Sequence, residues 1–109
     1  MELFPERTLQ CLEESRVFVS PMVLLEMQFL RESGQVEFKV DAFIRDMRAE
    51  MGLKICEAPF VSVVLASNRI SWTRDPFDRL IVAQAASEEA RLITSDRVIL
   101  DNYRLAFWD

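Results

Sequence analysis

The sequence predicts an α/β fold in which a parallel sheet is covered by helices. Short apolar, β-branched segments alternate with helical patterns along the chain, as repeated strand and helix units require. All four prolines stand where a helical pattern begins, and both glycines stand where one ends. The length, 109 residues, is that of one domain, so residues 1–109 are expected to share one core.

In chain order, the first helix is expected over residues 5–14, opened by Pro5, and the first strand over 16–20. Pro21 starts the second helix, 21–32. Gly34 follows its end, where a left-handed cap is wanted. A third helix over 41–51 stops at Gly52, and a strand follows over 53–57. Pro59 opens a helix over 59–67, and Pro76 opens the longest, 76–90. A strand over 91–94, a short helix after Asp96 and a last strand over 105–108 complete the chain. Each proline is expected at a first helical position, where its missing N–H costs no hydrogen bond and its fixed φ suits the turn.

Composition narrows the function. Half the residues are hydrophobic, and no Ser-, Gln- or Gly-rich stretch or internal repeat suggests a linker or disordered tail. The net charge of −5 excludes a protein that grips nucleic acid by overall positive charge, so any such contact must be local. Of the thirteen basic residues, all but Lys39 and Lys54 are arginines, whose planar heads suit bidentate contacts to phosphate or carboxylate. Arg74, Arg79 and Arg97 lie beside acids, and each could pair with its neighbour or take a phosphate. Cys11 and Cys56 lack metal-ligand spacing and the chain has no histidine, so free thiols are expected and a zinc site is not. The N-terminal residues have neither the basic flank nor the apolar core of a signal peptide, and no apolar run could span a bilayer, which together predict a cytoplasmic protein.

Three acids stand out. Glu26 is the one ionisable residue in the segment 21–30, which is apolar almost all round and therefore expected to be buried. An unpaired carboxylate there costs on the order of 3 to 5 kcal/mol, so Glu26 should bind a cation, unless its side chain reaches solvent or an arginine at the helix edge. Asp78 lies in the first turn of the helix opened by Asp75-Pro76. Asp75 reads as its N-cap, and Asp78 can complete the capping pattern or face a site at the sheet edge. Asp96 follows the strand 91–94, and in open parallel sheets ligands bind beyond the carboxyl ends of the strands. Helix capping is the alternative there too. Oxygen ligands without histidine or thiolate suit Mg2+ or Mn2+. Such a cation lowers the pKa of bound water and neutralises charge on a phosphoryl group, which is what phosphodiester hydrolysis needs.

These residues resemble the PIN-domain family and, within it, the VapC-like toxins of toxin–antitoxin pairs. Ser20-Pro-Met-Val-Leu-Leu-Glu26 is similar to the family's second acidic motif. Arg74-Asp-Pro-Phe-Asp-Arg-Leu-Ile-Val-Ala-Gln-Ala85 resembles its third, and Leu92-Ile-Thr-Ser-Asp96 its fourth. The closing strand before Trp108 also matches. The resemblance implies a three-layer α/β/α fold and a Mg2+- or Mn2+-dependent endoribonuclease that cuts RNA with activated water. It implies Glu26, Asp78 and Asp96 as catalytic and metal-binding acids, with Asp75, Ser20, Ser95 and Arg79 as secondary candidates inside the motifs. It further implies a homodimer and an antitoxin partner.

One part of the pattern is absent. The family opens with an apolar strand ending in Asp-Thr or Asp-Ser, and nothing here matches it: Asp41 and Asp46 lie too late, and Glu2 precedes no acid-bearing strand. A central strand carrying the first acid is therefore expected before Met1, lost either because Met1 is an internal methionine or because the chain is a natural remnant. On this reading the 109-residue form has weak or no nuclease activity, and the strands flanking the gap close up or a second chain covers it. A non-catalytic PIN-like module that dimerises or binds an antitoxin is the competing reading. A phosphoacceptor receiver domain fits less well, because neither Lys39 nor Lys54 stands at the end of a strand.

Overall fold

The computed structural model describes residues 4–109; Glu2, expected to precede no acid-bearing strand, lies outside them. Ten elements follow in the order α1 (Glu6–Glu13), β1 (Phe18–Val19), α2 (Pro21–Glu32), α3 (Val40–Met51), β2 (Lys54–Ile55), α4 (Phe60–Ser67), α5 (Pro76–Ser87), β3 (Leu92–Ile93), α6 (Arg97–Asn102) and β4 (Ala106–Phe107). Every expected strand and helix is present, and the fold is mixed α/β with parallel strands.

Local chemistry sets the boundaries. Ser20 and Asp75 are N-caps whose side chains accept from Met22 N–H and from Phe77 and Asp78 N–H, so Pro21 and Pro76 fall at the first helical position. Pro5 and Pro59 differ from expectation. Each stands one residue earlier, as the N-cap itself, with no side chain to cap the turn. Their φ of −58° is proline's own value, and their ψ of 159° and 128° is extended, so they set the entry angle of the chain. Gly34 and Gly52 take φ of +81° and +66° as expected, and Gly52 N–H donates to the Arg48 carbonyl to close α3. α5 ends three residues before the expected Ala90: Glu89 turns to φ +50°, and Ala90 N–H reaches back to the Ala85 carbonyl at 2.9 Å. The apolar pattern runs on past the point where the backbone has already turned.

The sheet is where expectation and structure part. β1 pairs in parallel with β2, Phe18 opposite Lys54, and β3 with β4, Leu92 opposite Ala106, but the two pairs share no ladder among the described residues. A single central sheet, and flanking strands that close up on each other, are not what these residues form. Among the described residues the open edges can be named. Val17 and Val19 offer their carbonyls to Lys54 and Cys56 N–H at 3.0 and 2.9 Å, and the alternation of an extended backbone turns the N–H and C=O of Phe18 the other way. Likewise Leu92 and Thr94 donate to Leu105 and Phe107 carbonyls, which leaves Ile93 on the open edge of β3.

Helices therefore carry much of the packing. Val19, Met47 and Leu53 form a buried cluster under Val23, Leu24, Phe43 and Ile55, joining β1 and β2 to α2 and α3. α5 is the central helix: its Ile81, Val82 and Ala83 are buried, α4 lies along it with Val63 buried, and α2 packs beside it. The chain ends are tied as well. Thr8, fully buried on α1, accepts from Asp109 N–H at 2.8 Å and donates its own N–H to the Asp109 carbonyl at 3.0 Å.

α2 corrects another expectation. No residue of α2 is fully buried, and Leu25 and Phe29 are 54% and 56% exposed. Only the side facing α3 and α5 is covered, so an all-round apolar sequence does not by itself bury a helix that has neighbours on one side. Phe60, Val61 and Leu65 of α4 are exposed too. Cys11 and Cys56 are free thiols, and no helix among the described residues is long and apolar enough to cross a membrane.

Candidate metal centre

The carboxyl end of β3, the first turn of α5 and the middle of α2 converge on one cavity of about 320 Å3. Glu26 reaches it from α2, Asp78 from α5, and Thr94, Ser95 and Asp96 from the turn after β3, while Val23, Ile81 and Ile99 supply apolar wall. All three acids identified from the sequence therefore line one cavity. Their mutual arrangement is less even. One oxygen each of Glu26, Asp75 and Asp78 lies within 4.8 Å of the others, and Asp96 is outside that group.

Helix starts explain the placement. Asp75 Oδ1 accepts from Phe77 N–H at 2.8 Å and from Asp78 N–H at 3.3 Å, and Asp75 N–H rests on Thr73 Oγ1 at 3.2 Å. Both cap bonds end on Oδ1, so the other oxygen stays without a hydrogen bond among the described residues. Asp78 stands three residues on, one turn above the cap. Asp96 repeats the pattern: its Oδ1 accepts from Ile99 N–H at 3.1 Å, and its N–H rests on Thr94 Oγ1 at 3.1 Å. Capping holds the two aspartates in place.

The acids repel one another. Desolvation by burial is the main cause that raises the Asp78 carboxyl from 3.8 to about 6, followed by the charges of Asp75 and then Asp96. Glu26 is raised as well, first by burial and then by Asp78, Asp75 and Asp96. On both groups Asp75 acts more strongly than Asp96, in agreement with the distances. A divalent cation would relieve this: three carboxylates with oxygens within 4.8 Å of one another, without histidine or thiolate, form a hard oxygen donor set of the kind that suits Mg2+ or Mn2+.

The secondary candidates separate. Asp75 belongs to the closest carboxylate group, and the signal for it was the Asp-Pro-Phe-Asp spacing, which stacks two acids over one helix turn. Ser20 spends its hydroxyl on Met22 N–H at 3.1 Å, so it holds the start of α2. Ser95 is exposed and lines the cavity. Arg79 forms no ion pair among the described residues: its Nε donates to the Ile70 carbonyl at 2.7 Å and anchors the segment between α4 and α5.

No curated protein and no solved structure matches the chain. The family model described as the PIN domain matches residues 2–105, nearly the whole sequence, and spans every element that contributes to the cavity. With parallel strands, a helix start carrying two aspartates and an acidic cavity at the carboxyl end of β3, the chain belongs to the PIN-domain family.

Proposed function

We propose that the chain is a metal-dependent endoribonuclease of the VapC-like kind, which cuts RNA phosphodiesters with water and Mg2+ or Mn2+, its activity weakened by the separation of its strand pairs. The observation that carries the reading is the meeting of Glu26, Asp75 and Asp78 oxygens within 4.8 Å in a PIN-domain chain. Glu26, Asp78 and Asp96 are the acids assigned to catalysis and metal binding, and Asp75 joins them as a ligand. A divalent cation supplies two things there, a lowered pKa for bound water and neutralisation of charge on the phosphoryl oxygens. The protein residues supply the rest. Asp75 is fixed by its cap with an oxygen already in the carboxylate group, and Asp96, fixed by its own cap, lines the same cavity outside that group. Val23, Ile81 and Ile99 lower the polarity of the wall, which strengthens each electrostatic contact inside.

Impairment is supported by the open edges at Phe18 and Ile93. The pairs β1–β2 and β3–β4 share no ladder among the described residues, and β3, which lines the cavity, is therefore backed by β4 alone and not by a continuous sheet. The same observation favours the second reading, a PIN module that binds without cutting. In either case we place the protein in the cytoplasm, with an antitoxin as partner and a homodimer as its assembly. Leu25, Phe29, Phe60, Val61 and Leu65 are the exposed apolar side chains such an interface would cover.

Incubation with RNA in Mg2+ or Mn2+, alongside Asp78→Asn, tests the reading. Slow metal-dependent cleavage that disappears in the variant is the expected result. Efficient cleavage lost in Asp78→Asn would overturn the impairment. Calorimetric Mn2+ binding without any cleavage would favour the binding module, and no Mn2+ binding at all would remove both the nuclease and its site.

A further inference from the structure

Three arginines lie beside the acids of the motifs, and the structure divides them. Arg79 is committed to the Ile70 carbonyl and belongs to the scaffold. Arg74 and Arg97 are exposed, and neither forms an ion pair among the described residues, although Arg74 precedes Asp75 and Arg97 follows Asp96. The ion pairs among the described residues are Arg7 with Asp109 and Arg45 with Asp46. Pairing with a neighbouring carboxylate, the simplest use for these two arginines, is therefore not what they do.

The reason lies in the caps. Asp75 directs its Oδ1 at Phe77 and Asp78 N–H, and Asp96 directs its Oδ1 at Ile99 N–H, so each acid is turned toward its helix. Two positive side chains thus stand one residue away from the acids without neutralising them. Arg74 stands just before the N-cap of α5 and Arg97 just after the N-cap of α6, next to the helix starts that bring Asp78 and Asp96 to the cavity.

We propose that Arg74 and Arg97 are positioning residues that take backbone phosphates of single-stranded RNA on the rim of the acidic cavity. This rests on the ribonuclease reading above and assigns that site its means of holding substrate. A chain of net charge −5 repels a polyanion at long range, so the cation in the site needs local positive partners if the strand is to lie across it. Guanidinium is suited to this, because it presents paired donors to a phosphate and cannot lose its charge. Arg74 comes from the α5 start and Arg97 from the α6 start, so the two hold the strand at separate points.

The test is binding of a short fluorescein-labelled single-stranded RNA of mixed sequence by the full chain. Anisotropy is followed in Ca2+ over a KCl series, for the unmodified protein and for Arg74→Gln, Arg97→Gln, the double variant and Arg104→Gln. Arg104 is an exposed control at the opposite end of the strands, just before β4, which runs parallel to β3. Each of the first two changes is expected to weaken binding about five- to tenfold and to lower the salt slope by about 0.7. Arg104→Gln should leave both nearly unchanged, and Mn2+ affinity by calorimetry should hold or tighten in all variants. Equal affinity and slope in the double variant and the unmodified chain would overturn the assignment, as would losses no greater than those of Arg104→Gln. A parallel fall in Mn2+ affinity would also overturn it, because the arginines would then shape the metal centre. Absence of RNA binding by the unmodified chain is a different failure, which removes the ribonuclease reading and this inference with it.

Discussion

Replacing Asp78 by Asn removes one charge from a site where three carboxylates meet, and in the metal-free protein this should be stabilising. Two unit charges 4.8 Å apart repel by about 1 kcal/mol in bulk water and about 3 kcal/mol at the effective dielectric of a protein surface. Asp78 is only half-buried, so screening keeps the relief near the lower end, about 1 to 2 kcal/mol. Against it stands the lost attraction between a negative charge and the N-terminus of α5, worth about 0.3 to 1 kcal/mol. Repulsion wins, by about 1 kcal/mol, which for a chain of this length is a rise in Tm of about 4 to 8 °C. The pH dependence gives the sign a second check. The folded Asp78 carboxyl titrates at about 6, above its ordinary 3.8, so between those values the folded state holds more protons than the unfolded one. This group's contribution to stability is fully present below about pH 4 and is lost as pH rises through 6. The advantage of Asp78→Asn should accordingly be largest above pH 7 and vanish by about pH 4. Thermal unfolding in EDTA across that range decides it. An unchanged or lowered Tm at pH 7.5, or a difference that does not vary with pH, would refute the idea that Asp78 is held in a repulsive cluster.

The same titration governs the cation. Mn2+ affinity measured by calorimetry should rise steeply with pH up to about 6 and level off above it, since the ion must displace the proton held on Asp78; a flat profile between pH 5 and 7 would place the ion elsewhere. Asp96 separates capping from charge. Asp96→Asn keeps a competent cap and should change stability by less than about 0.5 kcal/mol, whereas Asp96→Ala should cost about 1 kcal/mol. Both should weaken Mn2+ binding less than Asp78→Asn does, and complete loss of binding in Asp96→Asn would make that acid a principal ligand. At the end of α3, Gly52→Ala meets no atom within 4 Å of the added Cβ, so its cost of about 1 kcal/mol comes wholly from the φ of +66°. Urea unfolding should show a shifted midpoint with an unchanged slope, and a neutral result would mean the left-handed cap is dispensable.

Much of the fold was legible because its signals are local. Proline at a helix start and glycine at a helix end act within a few residues, and each marked a real boundary to within one position, as Pro21, Pro76, Gly34 and Gly52 show. The failures share a cause of another kind. Whether α2 is covered on one side or all round depends on neighbours far away in the chain, and Leu25 and Phe29 look the same in sequence whether a partner element covers them or not. Whether four strands form one sheet or two pairs is equally non-local. The residues Phe18 and Ile93 favour extended backbone, but nothing in them specifies what lies across the open edge.

The site poses a sharper question, because its acids could be read from sequence as helix caps or as ligands, and these looked like alternatives. They are not. A carboxylate has two oxygens, and Asp75 uses one for the backbone of α5 while an oxygen of the same group lies within 4.8 Å of Glu26 and Asp78. Capping in fact prepares the ligand, since an aspartate tied to two N–H groups has lost its rotamer freedom before any cation arrives. It also explains why the neighbouring arginines stay unpaired, for a carboxylate turned into its own helix is a poor partner for the residue just outside it. The two roles of such an acid are compatible yet separable: asparagine at Asp96 keeps an oxygen for the Ile99 N–H and removes the negative charge, so the helix start should survive while Mn2+ binding weakens.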